Sequence, residues 1–301
     1  MRALLVHNPH ATATRPAVTD VIAHALSSEL KLDVEATQRH GHAISLAADA
    51  VGAGYEVVIA HGGDGTLNEV VQGIAGTDVK LAVIPGGSTN VWARTLGMPN
   101  DAVAATSLIL RKLGEREDRR VNLGVANGRY FAFCAGLGYD AEVVRMVERR
   151  IRMKRTVRQA SFLWCGFLAY LAGRGQDALL SLTVDGEPTH AGLRAVVCCN
   201  SSPYTYLGPL PALVCPDADL DRALDVTGLT RVGLLSLARL ARAALTSGNV
   251  DRLGHVRTWR DLDRYEVVAT APVPLHVDGE FVGETDRLTL GTARSALTVV
   301  A

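Results

Sequence analysis

Along the first third of the chain, short apolar runs alternate with longer stretches whose apolar positions recur every three to four residues. Residues 3–6, 32–36, 57–60 and 81–84 are short and apolar enough to read as strands, with 57–60 buried on both faces. Residues 17–30 and 43–51 carry the spacing of amphipathic helices, and 91–96 is a further helix-like stretch. Such alternation predicts a parallel sheet with helices on both faces. The charged run 111–120 breaks the pattern and is taken as a boundary, dividing a first domain, 1–118, from a second, 119–301. Beyond it, runs at 121–125, 130–134, 179–184, 195–199, 223–227, 265–269, 275–277 and 288–290 are separated by Gly, Pro and Asp turns. They predict a mainly β, sandwich-like second domain.

Composition fits two domains and excludes several classes. A chain of 301 residues with 48% hydrophobic content can fill two cores. Lys plus Arg equal Asp plus Glu at 31 each, so no overall charge points to nucleic acid. The leading run Leu4-Leu5-Val6 is too short for a signal-peptide core, and no stretch approaches the roughly 18 apolar residues of a membrane span. The odd five cysteines (Cys134, Cys165, Cys198, Cys199, Cys215) lack metal-type spacing and predict buried free thiols in a reducing cytoplasm.

The candidate chemistry begins at Ile59-Ala60-His61-Gly62-Gly63-Asp64-Gly65-Thr66-Leu67-Asn68-Glu69. Three glycines and a carboxylate sit between an apolar strand and a helix expected to begin near Thr66. Glycine lets the backbone turn sharply and bring N–H groups against phosphate oxygens, while a helix start aims its positive end at them. Asp64 repels phosphate unless a divalent cation lies between. A tight turn whose Asp only caps a helix is the plainer reading. A second loop of the same design, Pro85-Gly86-Gly87-Ser88-Thr89-Asn90, follows the next strand and favours a shared crevice at the strands' carboxyl ends. His61 reads as a strand-end residue.

In this order and spacing, the two loops together with Asn8-Pro9, Gly136-Leu137-Gly138-Tyr139-Asp140-Ala141 and Asp278-Gly279-Glu280 resemble the diacylglycerol kinase catalytic family, lipid kinases that include sphingosine kinases. The resemblance spans nearly the whole chain. It implies an NAD-kinase/phosphofructokinase-like α/β N-terminal domain and a reaction in which the γ-phosphoryl of ATP passes to a lipid hydroxyl. It implies a nucleotide site at Asn8, Pro9, Thr37, Gly62, Gly63, Asp64, Gly65, Thr66, Asn68, Glu69, Ser88, Thr89 and Asn90. Asp64 would orient a catalytic Mg²⁺ through water, and Asp278 or Glu280 would be the general base, Asp278 being preferred. By residues alone that triplet is equally a hairpin turn, and Asp185-Gly186-Glu187 repeats it.

A structural Mg²⁺ is implied in the loop 216–225, with Asp221 and backbone oxygens of Ala218 and Ala223 as ligands. Arg222 departs from the family pattern there, Asn122 stands where many relatives carry Asp, and the turn after Asn8-Pro9 lacks the usual glycine and lysine, with Arg15 as a replacement cation. Residues 145–158, with Arg145, Arg149, Arg150, Arg152, Lys154, Arg155 and Arg158 among apolar positions, suit docking to an anionic membrane or, alternatively, form a solvated face. The expected setting is the cytoplasm, with a peripheral station on the inner membrane face; a homodimer is left open. A soluble NAD-kinase-like enzyme and a non-catalytic nucleotide-binding regulator are the competing readings.

Overall fold

In the computed structural model, which describes residues 1–153, 179–184 and 187–301, the alternating stretch becomes β1 (Arg2–His7), α1 (Pro16–Ser27), β2 (Lys31–Ala36), α2 (His42–Gly52), β3 (Val57–Gly62), α3 (Asp64–Ile74), β4 (Lys80–Pro85), α4 (Val91–Thr95) and α5 (Ala102–Glu115). The four strands are parallel in the order β2-β1-β3-β4. Every residue of β3 is buried, whereas β2, on the edge, exposes charged Lys31, Asp33 and Glu35, which discourages pairing with another chain. Helix α1 opens on Pro16, whose missing N–H costs nothing in a first turn.

The charged run 111–120 is partly helical. Through Glu115 it is the last turn and a half of α5, which Asp101 begins by accepting the Ala104 N–H at 2.8 Å and whose Ala105 and Ile109 are buried. Lys80 pairs with Asp118, and Arg120 with Asp78 at 3.2 Å.

By its own contacts the chain divides into Met1–Leu123 with Ala293–Ala301, and Gly124–Thr292. After α5 come β5 (Arg119–Ala126), β6 (Arg129–Phe131), β7 (Cys134–Gly138), α6 (Tyr139–Met153), β8 (Leu180–Val184), β9 (Glu187–Leu193), β10 (Ala195–Cys199), β11 (Thr205–Leu207), β12 (Leu210–Ala212), β13 (Leu224–Leu229), α7 (Leu234–Thr246), β14 (Val256–Leu262), β15 (Arg264–Val277) and β16 (Glu280–Val299), of which β5 and β16 begin and end, respectively, in the first unit and the others lie in the second. Its strands run antiparallel in the order β14-β13-β10-β7-β15-β16, with β8 on β15 and β9 on β8. A register shift between Val268 and Val273 lets β15 pair β8 at one end and β7 at the other. Phe131, Leu137, Leu180, Leu182, Val226, Val267 and Leu290 are among the residues that fill its core. The far end of β16, Thr298 and Val299, lies parallel to Lys80 and Leu81 of β4 and so extends the first sheet. Cys134, Cys198, Cys199 and Cys215 are buried free thiols; burial pushes Cys134 and Cys198 well up, and contact with Cys215 together with burial does the same to Cys199. Among the described residues no helix is long and apolar enough to cross a membrane.

Candidate active site

The carboxyl ends of β1, β3 and β4 carry Asn8 and the two glycine loops, and backbone bonds join them. Asn8 N–H donates to His61 O at 3.0 Å, Gly86 N–H to Gly62 O at 2.7 Å, and Ala13 N–H to Gly86 O at 2.8 Å. The glycines face each other. A Cβ on Gly86 would stand 3.0 Å from Gly62 Cα, and one on Gly87 would stand 2.7 Å from Gly63 Cα. Backbone-to-backbone packing of the two loops therefore requires these glycines before any ligand is considered.

Asp64 opens α3, not Thr66 as the spacing suggested, and its carboxylate accepts the Val91 and Trp92 N–H groups at 3.1 and 3.3 Å. It thereby satisfies the first amides of α4, which starts from Asn90 at φ 50°. Asn90 accepts the Gly87 N–H at 2.8 Å and donates to Gly87 O and Asn100 Oδ1 at 3.0 and 2.9 Å. Ser88 stands exposed on the crest of that loop, with Thr89 half-buried beside it. Asn8 Nδ2 donates to Thr66 Oγ1 at 3.0 Å, so two predicted site residues brace each other. Gly65 lies in the first turn of α3, and Pro9 is exposed in the turn after β1.

The remaining predicted nucleotide residues do mostly scaffold work. Thr37 is buried, its N–H donating to His7 O at 2.9 Å. Asn68 is buried within α3 and accepts from Gln72. Glu69 reaches α2, where its carboxylate accepts the Gly41 and Ala43 N–H groups at 2.8 and 3.1 Å and faces His40 at 3.1 Å. A carboxylate on the positive end of α2 replaces the side-chain cap that Gly41 cannot provide. His61 and His7 sit side by side across β3 and β1. His61 is fully buried with neither ring nitrogen hydrogen-bonded, and burial, then the charge of His7, lowers its pKa to about 4. It is neutral at pH 7. Asn122 accepts the Ser295 N–H at 2.8 Å, and so holds the last stretch of the chain.

Asp278 and Gly279, at φ 47° and 74°, form the two-residue turn between β15 and β16. The Asp278 carboxylate is buried and accepts three backbone N–H groups, from Ala132 at 2.8 Å and from Phe133 and Cys134 at 3.0 Å. Glu280, one turn residue later, is half-buried with Arg129 Nη2 at 3.6 Å. The repeated triplet at 185–187 joins β8 to β9, with Val184 opposite Glu187; its first two residues lie outside the described residues.

Sequence reasoning missed one polar cluster. His276 Nε2 lies 2.6 Å from Asp140 Oδ2, and Tyr204 O–H donates to Asp140 Oδ1 at 3.0 Å. The side chains meet over Gly136, where a Cβ would collide with both Asp140 and His276. That glycine was visible within a quoted motif, but nothing local linked it to His276.

In the loop 216–225 several backbone groups are engaged by the protein itself. The Ala218 carbonyl accepts the Ser202 N–H at 3.1 Å, Arg222 Nη1 donates to Asp217 O at 3.3 Å, and the Ala223 N–H goes to Asp261 at 2.9 Å. Arg260 adds a second guanidinium, 3.0 Å from Asp217. Asp221 donates its N–H to Asp219 and remains exposed. Arg222 and Arg260 bring two positive charges beside the loop, and no group of three or more His, Cys, Asp or Glu poised for a metal exists among the described residues. Asp64 does fit Mg²⁺, because that ion keeps most of its waters and needs one carboxylate plus phosphate oxygens.

Of the basic segment 145–158, only the start is described. Arg145 is mostly buried, pairs with Glu142 and with Glu284 at 2.8 Å, and lies over Phe281 at 5.7 Å, so it faces the protein. Val143 and Met146 pack inward, and Arg149 is exposed. The side chains of residues 150–158 lie outside the described residues.

Residues 2–121 match the diacylglycerol kinase catalytic domain. Over the full chain, similarity extends to a diacylglycerol kinase of Bacillus subtilis, 30% identical over 94% of this chain and 90% of that one, and to one of Staphylococcus aureus strain JH9, 36% identical over 94% and 87%. The fold is shared with a diacylglycerol kinase structure from Bacillus anthracis, at TM-score 0.72 and 19% identity over 99% of this chain and 96% of that one. It is shared more loosely with an ATP-bound NAD kinase from Archaeoglobus fulgidus, at TM-score 0.56 and 12% identity over 100% and 94%.

Proposed function

Because the chain belongs to the diacylglycerol kinase family, we propose that it transfers the γ-phosphoryl group of ATP to a hydroxyl of diacylglycerol or a related lipid, giving phosphatidic acid or its analogue. The observation that carries the reading is the pair of interlocked glycine loops at the carboxyl ends of β3 and β4, with the α3 N-terminus behind them. That arrangement offers backbone N–H groups and a positive helix end to phosphate oxygens. Asp64 is the residue to hold Mg²⁺ through water, and the ion supplies neutralisation of phosphate charge. Loops held rigidly against each other suit the fixing of phosphates in place, which is most of what phosphoryl transfer asks of a protein.

For the acceptor hydroxyl we assign the base to Glu280 in place of Asp278. Three N–H donors hold the Asp278 carboxylate in its turn, so its work is to set the position of Glu280. Glu280 is half-buried and reachable, with Arg129 Nη2 3.6 Å from its carboxylate. A cytoplasmic setting with contact at the inner membrane face accords with a lipid acceptor.

The test is transfer of labelled phosphate from Mg–ATP to diacylglycerol, ceramide, sphingosine and monoacylglycerol in mixed micelles, with NAD in a parallel tube. Label in one lipid, lost in Glu280→Gln, is the expected result. Label in NAD would establish the soluble-kinase alternative, and ATP binding with no label anywhere would favour the regulator.

A further inference from the structure

Helix α7 turns one face inward and leaves the other uncovered. Ser236 and Ala244 are buried, and Leu237 and Leu240 pack toward Tyr139, Ala195, Leu229 and Val256. On the opposite arc, at 100° per residue, stand Leu234, Leu235, Ala238, Arg239 and Arg242. Leu234 is 56% and Leu235 63% exposed, high values for leucines whose neighbours on the same helix are packed.

The charge on this arc has one sign. From Thr230 to Gly248 the chain carries Arg231, Arg239 and Arg242 and no Asp or Glu, and all three arginines are exposed. None forms an ion pair among the described residues. Asp251, on a 3₁₀ turn (Val250–Arg252) that packs against α7, is faced by Arg260 at 3.7 Å. The β11–β12 hairpin, which also packs on α7, has no charged residue and exposes Pro209 and Leu210.

We propose that this face of α7 docks on an anionic phospholipid bilayer, with Leu234 and Leu235 entering the boundary of the acyl chains and Arg231, Arg239 and Arg242 at the level of the lipid phosphates. Leucine at the crest and arginine on the flanks is the chemistry of an interfacial helix. Each arginine near such a surface strengthens binding by about fivefold. A nucleic acid would gain nothing from the leucines, and pairing two copies through this face would bring like charges together. The inference rests on the lipid-kinase reading for its purpose and on this helix for its geometry.

The experiment compares three full-length proteins: wild type, Leu234→Asp with Leu235→Asp, and Arg231→Gln with Arg239→Gln and Arg242→Gln. Each is sedimented with vesicles of phosphatidylcholine alone or with phosphatidylglycerol added. Thermal melts matching wild type confirm folding, as expected for exposed positions. Wild type should bind the anionic vesicles, less so in high salt. The leucine variant should lose about tenfold or more, and the arginine variant about a hundredfold. Phosphate transfer to a short-chain diacylglycerol dissolved as monomer should stay unchanged in both.

Failure of wild type to bind, equal binding by the variants, or a leucine effect confined to self-association or to binding of a DNA fragment would overturn the proposal. Absence of phosphate transfer from all three proteins, with the vesicle pattern as expected, would remove the lipid-kinase reading and leave the docking face standing.

Discussion

At the scale of single residues, Asp278 and Glu280 are two carboxylates of one turn in different surroundings. Removing the Asp278 carboxylate strands three buried N–H groups, so Asp278→Ala should cost about 3 kcal/mol or more of stability, measured by urea unfolding. Glu280→Gln should leave unfolding unchanged and lower kcat by about a hundredfold or more with little change in KM. A second residue-scale consequence concerns His61. The folded chain holds it at about 4 against an ordinary 6.5. Between those values the unfolded chain binds a proton that the folded chain refuses, so stability falls as pH drops from 6.5 and levels off below 4. The loss totals about 3 kcal/mol. Urea titrations from pH 4 to pH 8 should show this slope in wild type and a shallower one in His61→Leu, where half-buried His7 still contributes.

At the scale of elements, the glycine loops act as a pair. Ala at Gly86 places a methyl against Gly62 backbone, which cannot swing aside as a side chain would. Gly86→Ala should therefore destabilise by about 1–3 kcal/mol and weaken ATP binding together, read by melting and by calorimetry on one sample. The loop at 216–225 behaves differently, because Arg260 pairs with its Asp217 and Arg222 donates to the Asp217 carbonyl. Chelation with EDTA should stop phosphate transfer and leave the melting temperature unmoved. A fall in melting temperature on chelation would show a structural metal after all. This departure was half legible: Arg222 stood out in the sequence, but Arg260 and Asp261 arrive from β14, far along the chain. Helix α7 was not read at all. Its inner positions have helical spacing, yet no capping side chain marks its start, where Gly233 is the cap.

At the scale of the whole molecule, what the sequence revealed was local in character. The strand–helix alternation, both glycine loops and the Asp-Gly turn are written in consecutive residues, and each took the expected form. What stayed hidden depends on residues far apart: Asp278 with the amides of 132–134, Asp140 with His276, and Asn122 with Ser295. Burial and partner count decide whether a carboxylate holds a turn or takes a proton, and neither is a property of a motif.

The far end of β16 ties assembly to time. Residues 293–301 belong with Met1–Leu123, and Leu297, Thr298, Val299 and Val300 are all buried. A ribosome making this chain finishes residue 123 on the order of 10–30 s before residue 293 is added, at ordinary elongation rates. Throughout that interval β4 presents an unpaired edge, and the unit bearing both glycine loops lacks its last strand. Deleting residues 293–301 should make this permanent, yielding a chain that aggregates on synthesis and is recovered chiefly with chaperones bound. Pairing of residues 298 and 299 with β4 is thus the step that completes the sheet bearing both glycine loops.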